Sequence, residues 1–138
     1  MSNVIVTDSG FAPDDWTHGF APLADLPTEA AVVAVDLAPE DDPTALADHL
    51  QQIDMIRVAF PSFADGRGFT QARTLRRAGF QGRLRAAGHV ISDQYAMARR
   101  CGFDEVEISP DLAARQPATE WKARADWQAR DYQNRMRG

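Results

Sequence analysis

Three groups of residues in this 138-residue chain carry side chains suited to chemistry. The first lies in the stretch FADGRGFTQARTLRR (63–77), where Gly66 and Gly68 flank Arg67 just ahead of a helical pattern. Two glycines let backbone N–H groups approach an oxyanion at a helix start, and the guanidinium adds charge and planar donors. The stretch lacks the Gly-Lys-Ser/Thr of a Walker loop and the GxGxxG of a dinucleotide fold, and the same residues also suit a permissive turn. The second group is Arg57 and Arg85, with Asp36 and Glu107 as charged neighbours on a shared sheet face. If buried, these charges must pair with one another or with a ligand. Either an internal ion-pair network or a small-anion site satisfies that demand. The third is His89, which titrates near neutral pH, with Asp93 to orient it or to cap the next helix. His18, His49 and His89 lie in separate contexts without metal-ligand spacing, so no metal site is expected. Cys101, the single cysteine, excludes an internal disulfide and reads as a core residue.

The elements that must position these groups alternate short apolar runs with helical patterns, the signature of βα units and a parallel sheet. Strands are predicted over 31–37, 55–60, 82–88 and 104–109, and helices over 42–52, 69–78 and 92–101. Asp42 beside Pro43, Thr70, and Ser92 or Asp93 are the expected helix caps. Gly79 and Gly102 close the near repeats RRAGF and RRCGF as left-handed helix stops. An alternating NVIVT predicts an N-terminal strand, followed by a flap or hairpin around Pro13 to Pro22. The last stretch, from Ala118, is strongly helix-forming; Trp121, Ala125, Tyr132 and Met136 share one stripe and Trp127 lies on another face.

Strand alternation separates two faces. Val33, Val35, Ile56, Val58, Phe60, Leu84, Ala86, Val106 and Ile108 form an apolar one. Ala34, Asp36, Arg57, Ala59, Arg85, Ala87, Glu107 and Ser109 form the other, where small residues alternate with charges. A doubly wound sheet covered on both sides is usually apolar on both faces. The expected fold is therefore an α/β parallel βα array resembling a half βα barrel, with a flavodoxin-like open sheet as the second choice. It is expected as one domain over 1–138, with strand and flap over 1–29, a βα core over 30–109 and a helical extension over 110–138. Polar candidates fall just after strands, where α/β proteins place their sites.

Composition bounds the remaining choices. Hydrophobic residues at 44% and charged residues at 25% are ordinary for a globular chain. No run is long enough to cross a bilayer, and the basic start of a signal peptide is missing, so a cytoplasmic protein without membrane contact is expected. The net charge of −5 argues against nucleic-acid binding. That total hides a polarity: −11 from Met1 to Ile56 is followed by +6 from Arg57 onward. Such asymmetry suits a docking surface, a homodimer, or halves that neutralise each other on folding.

The run from Phe63 to Ile108 also resembles the bacterial domain of unknown function 934 family. GRGF, LRAAG and DQ are its distinctive parts, and Gly66, Arg67, Gly68, Phe69, Leu84, Arg85, Gly88, Asp93 and Gln94 match the family pattern. The resemblance implies an association with assimilatory sulfite and sulfate reduction, and some members are labelled oxidoreductases. It supplies no catalytic residues to carry over. No flavin, nicotinamide or iron–sulfur fingerprint is present, so no cofactor is expected. The expected function is an accessory protein that binds a sulfite-reduction enzyme or a small oxyanion. The alternatives are a small enzyme acting on an anionic substrate through Arg67, Arg85 and His89, and a non-catalytic homodimeric module.

Overall fold

The computed structural model describes residues 3–26 and 32–127. Seven strands form one sheet in the order β2-β1-β7-β6-β5-β4-β3. They are β1 (Val4–Thr7), β2 (Gly10–Pro13), β3 (Ala21–Pro22), β4 (Ala34–Leu37), β5 (Met55–Phe60), β6 (Arg83–Gly88) and β7 (Glu105–Ile108). β3 to β7 are parallel neighbours in chain order, while the β1–β2 hairpin adds antiparallel to β7. With β4 to β7 in chain order, right-handed crossovers place the connections between them on one side of the sheet, where the 3₁₀ turns, α1 and α2 pack. This is an α/β open sheet with the strand order of half a βα barrel. The order has no reversal, which a flavodoxin-like sheet requires.

The covered side holds the core. Val35, Val58, Phe60, Leu84, Ala86, Val106 and Ile108 pack with Phe69, Ala72 and Leu75 of α1 (Arg67–Arg77) and with Ala98 and Cys101 of α2 (Tyr95–Cys101). Burial raises the Cys101 thiol pKa, as suits a core residue. Gly79 and Gly102 follow the two helices at φ +102° and +112°, the left-handed stops that the repeated motifs predict.

Three local expectations change. Residues 42–52 form two 3₁₀ turns, Pro43–Leu46 and Leu50–Gln52, in place of one α-helix. Asp42 caps the first turn through Thr44 N, and the tighter winding still buries Leu46, Leu50 and Ile53. Apolar spacing thus identifies the inward side chains without fixing the winding. Thr70 lies inside α1, whose N-cap is Gly66. Neither Ser92 nor Asp93 caps α2; Gln94 Oε1 instead accepts from Ile91 N. At the C-terminal end, α3 (Pro110–Arg115) is capped by Ser109, and α4 (Ala118–Lys122) buries Trp121 against Tyr95. Trp127 lies under the Arg99 guanidinium, so the two tryptophans do face different surfaces. Tyr132 and Met136 lie outside the described residues.

The link from β2 to β3 joins the two edges of the sheet across its other face. Pro13 and Ala21 are eight residues apart, so the link spans at most about 29 Å even fully extended. Six strand spacings in a flat sheet come to about 29 Å as well. The link is not extended: Trp16 Nε1 donates back to Gly19 O, and Gly19 has φ +72°. The sheet therefore curls toward this strap, and the curl gives the polar face its concavity.

Candidate functional site

The strand register arranges the polar face in rows. One row runs Asp36, Arg57, Arg85, Glu105 across β4 to β7, and the next runs Ala59, Ala87, Glu107. Arg57 and Arg85 are direct neighbours, an unfavourable pairing of like charges unless each is compensated. Glu107 lies one step along from Arg85, whose direct partner is Glu105.

Compensation is extensive. Arg57 donates from Nε and Nη2 to the two oxygens of Asp36 at 2.6 and 2.8 Å, a bidentate pair. Its Nη1 reaches Glu107 Oε1 at 3.2 Å, and the same oxygen accepts from Arg85 Nη1 at 2.8 Å. Glu107 therefore bridges the two neighbouring guanidiniums. Arg85 also donates from Nε to Glu105 Oε2 at 2.6 Å. Asn3 Nδ2 holds the other oxygen of Glu107 at 2.9 Å.

The strap completes the network. Asp14 Oδ1 lies 3.2 Å from Arg85 Nη2 and Asp15 Oδ1 lies 2.8 Å from Arg83 Nη2, while Arg83 also pairs with Glu105. Arg57 stacks over the Phe20 ring, 3.8 Å from its centroid, and Trp16 packs against His18 and Phe20. Arg85 ends with its side chain 0% exposed. Burial opposes its charge, but the surrounding carboxylates, Glu105 foremost, outweigh that cost and hold its pKa above the ordinary arginine value. The pair with Asp36 does the same for Arg57.

At the carboxyl ends of β4, β5 and β6 this face opens into a cavity of about 600 Å³. Asp36, Asp41, Arg57 and Glu107 supply its charges, and Ala59, Ala87 and Gly88 its small apolar floor. Part of the rim is held from the other side of the sheet: Gln71 of α1 donates from Nε2 to Ala38 O and Asp41 O, both at 2.9 Å.

The remaining sequence candidates lie elsewhere. Gly66, Arg67 and Gly68 do not line the cavity. Arg67 pairs with Asp65 of its own loop at 2.7 Å, which also accepts from Arg67 N. Gly68 is buried, and a Cβ there would fall 2.5 Å from Cζ of Phe60, so its smallness lets α1 sit on β5. His89 is exposed, with its backbone N–H on Phe60 O at 2.9 Å, and Asp93 accepts from Arg124. The structure thus brings together Asp36, Arg57, Arg85 and Glu107, but does not join them with the glycine loop or with a His89–Asp93 pair.

Sequence reasoning missed Arg83, Glu105, Asn3, Asp41, Gln71 and the strap acids Asp14 and Asp15. Counting by two from Arg85 and Glu107 finds Arg83 and Glu105 at once. The strap acids had a weaker signal: an Asp-Asp-Trp run inside a turn-rich segment facing an arginine-rich sheet.

The fold and its cavity define a class: an open α/β sheet carrying a small-molecule-sized cleft at its carboxyl edge. Residues 34–138 match the family model described as a bacterial protein of unknown function (DUF934), and the chain belongs to that family. Among curated proteins and among solved structures, nothing matches the chain. No helix among the described residues is long and apolar enough to cross a membrane.

Proposed function

We propose that the protein is an accessory component of assimilatory sulfite or sulfate reduction that acts by binding rather than by turnover. The cleft at the carboxyl ends of β4 to β6 is its ligand site, and a sulfite-reducing enzyme is its partner. The observation that carries the binding reading is the cleft itself. Its volume falls in the range of about 300–1,000 Å³ usual for small-molecule sites, and it lies at the carboxyl ends of parallel strands, the edge at which βα arrays gather functional groups. The sulfur setting comes from the family resemblance.

A second reading, a small sulfur oxyanion at Arg57, is favoured by one observation. Of the three arginines on the polar face, Arg57 alone lines the cleft, and its contacts to Glu107 are its loosest, at 3.2 and 3.4 Å. Turnover of an anionic substrate through Arg67, Arg85 and His89 has less support, since those residues belong to separate local networks.

The test is a deletion strain grown on sulfate, together with affinity capture of the tagged full chain from sulfate-grown cells. Impaired growth and recovery of a sulfite-reducing component are expected. Unchanged growth with no such component recovered removes the proposal.

A further inference from the structure

We infer that the cleft takes a small organic cation, a molecule with an amine, amidine or guanidine head on an apolar body; this rests on the reading that the cleft is the ligand site. Its shape follows from residue choice. Alanine is a poor strand former, yet Ala59 and Ala87 face each other across β5 and β6, and neither is part of the hydrophobic core. Gly88 continues the floor; at φ +119°, with Phe60 O 2.5 Å from any added Cβ, it accepts no larger side chain. Three small residues in adjoining positions leave an apolar bed where bulkier strand formers would close it. Pro22 extends that bed.

The charges around the bed set the sign of the ligand. Asp36, Asp41 and Glu107 line the cleft against the single guanidinium of Arg57, leaving the wall net negative by two charges. Arg57 is already committed to Asp36 and Glu107, and Arg85 behind it to Glu105, Glu107 and Asp14. The carboxylates retain acceptor capacity. Asp36 is 40% exposed, and Asp41 Oδ2 accepts one backbone bond, from Ala38 N at 2.8 Å. A cleft with low-dielectric walls of one sign concentrates the opposite sign and repels its own. A bare sulfur oxyanion has the charge of the wall and leaves most of the volume empty. A metal ion is also a poor occupant, because no group of three metal-ligating side chains occurs among the described residues.

The test uses matched probes of opposite charge on the purified full chain: benzamidine and phenethylamine against benzoate, phenylpropionate and sulfite, by calorimetry and thermal shift. The cations are expected to bind and raise Tm, more weakly as salt rises, while the anions do not. Asp41→Asn, whose amide oxygen can still accept from Ala38 N, is expected to weaken cation binding about tenfold. Ala87→Leu is expected to abolish it with the fold retained by circular dichroism. Binding of benzoate or sulfite without the cations overturns the inference but leaves the cleft as the ligand site. If no probe binds and Ala87→Leu supports full growth on sulfate, both fall.

Discussion

Arg85 pairs with Asp14, Asp15, Glu105 and Glu107 and touches no solvent, so its removal leaves buried Glu105 to Arg83 alone and buried Glu107 to Arg57 and Asn3. Arg85→Met is expected to lower the unfolding free energy in urea by about 3–5 kcal/mol, the cost typical of breaking a buried pair from one side. A loss below about 1 kcal/mol would mean that the network is slack, in the range of exposed pairs. The two loop glycines separate in the same way. Gly68→Ala drives a methyl into Phe60, whose ring is held between Phe69 and Phe103, and is expected to cost about 1–3 kcal/mol. Gly66→Ala meets nothing within 4 Å and is expected to stay within about 0.5 kcal/mol of the parent. Denaturation of the two variants side by side checks both. At this scale the sequence indicated which residues needed partners, because buried charge must be compensated. It did not indicate the partners: Asp14 and Asp15 lie about seventy residues from Arg83 and Arg85, and only the strap brings them together.

The strap carries a carboxyl whose titration is tied to its own ion pair. The hydrogen bond from the Arg83 guanidinium, opposed by desolvation, holds the Asp15 carboxyl below its usual value. Its folded-state pKa is the lower one, so its contribution is complete above about pH 4 and is lost as pH falls through the folded value. Acid is therefore expected to loosen the strap ahead of the core, read as a change in Trp16 emission by difference from Trp16→Phe. In Asp15→Asn that acid step should be absent; its persistence would place the pH sensitivity elsewhere. The sheet itself was legible as elements: 55–60 is strand to the residue, and the two-face alternation separates core from polar side. The winding of 42–52 was not, because Leu46, Leu50 and Ile53 are buried by 3₁₀ turns as well as by an α-helix. Nor was the antiparallel seat of β1 on β7, which depends on a partner a hundred residues away.

Across the whole molecule, the charge polarity of the chain becomes pairing in the fold. Asp8 meets Arg99, Asp14 meets Arg85, Asp15 meets Arg83 and Asp36 meets Arg57, each acid from the first half and each arginine from the second. Folding thus neutralises part of the asymmetry within the chain. It also moves the functional question away from the glycine loop: the arginines are clamped from within, and the concave face of the described residues opens over Ala59 and Ala87. The most direct test is growth of the deletion strain on sulfate, complemented with Ala87→Leu or with Gly66→Ala, each confirmed soluble and folded. The prediction is that filling the cleft abolishes rescue while the loop variant restores growth. Full rescue by Ala87→Leu, with failure of Gly66→Ala, would contradict it and return the function to the loop.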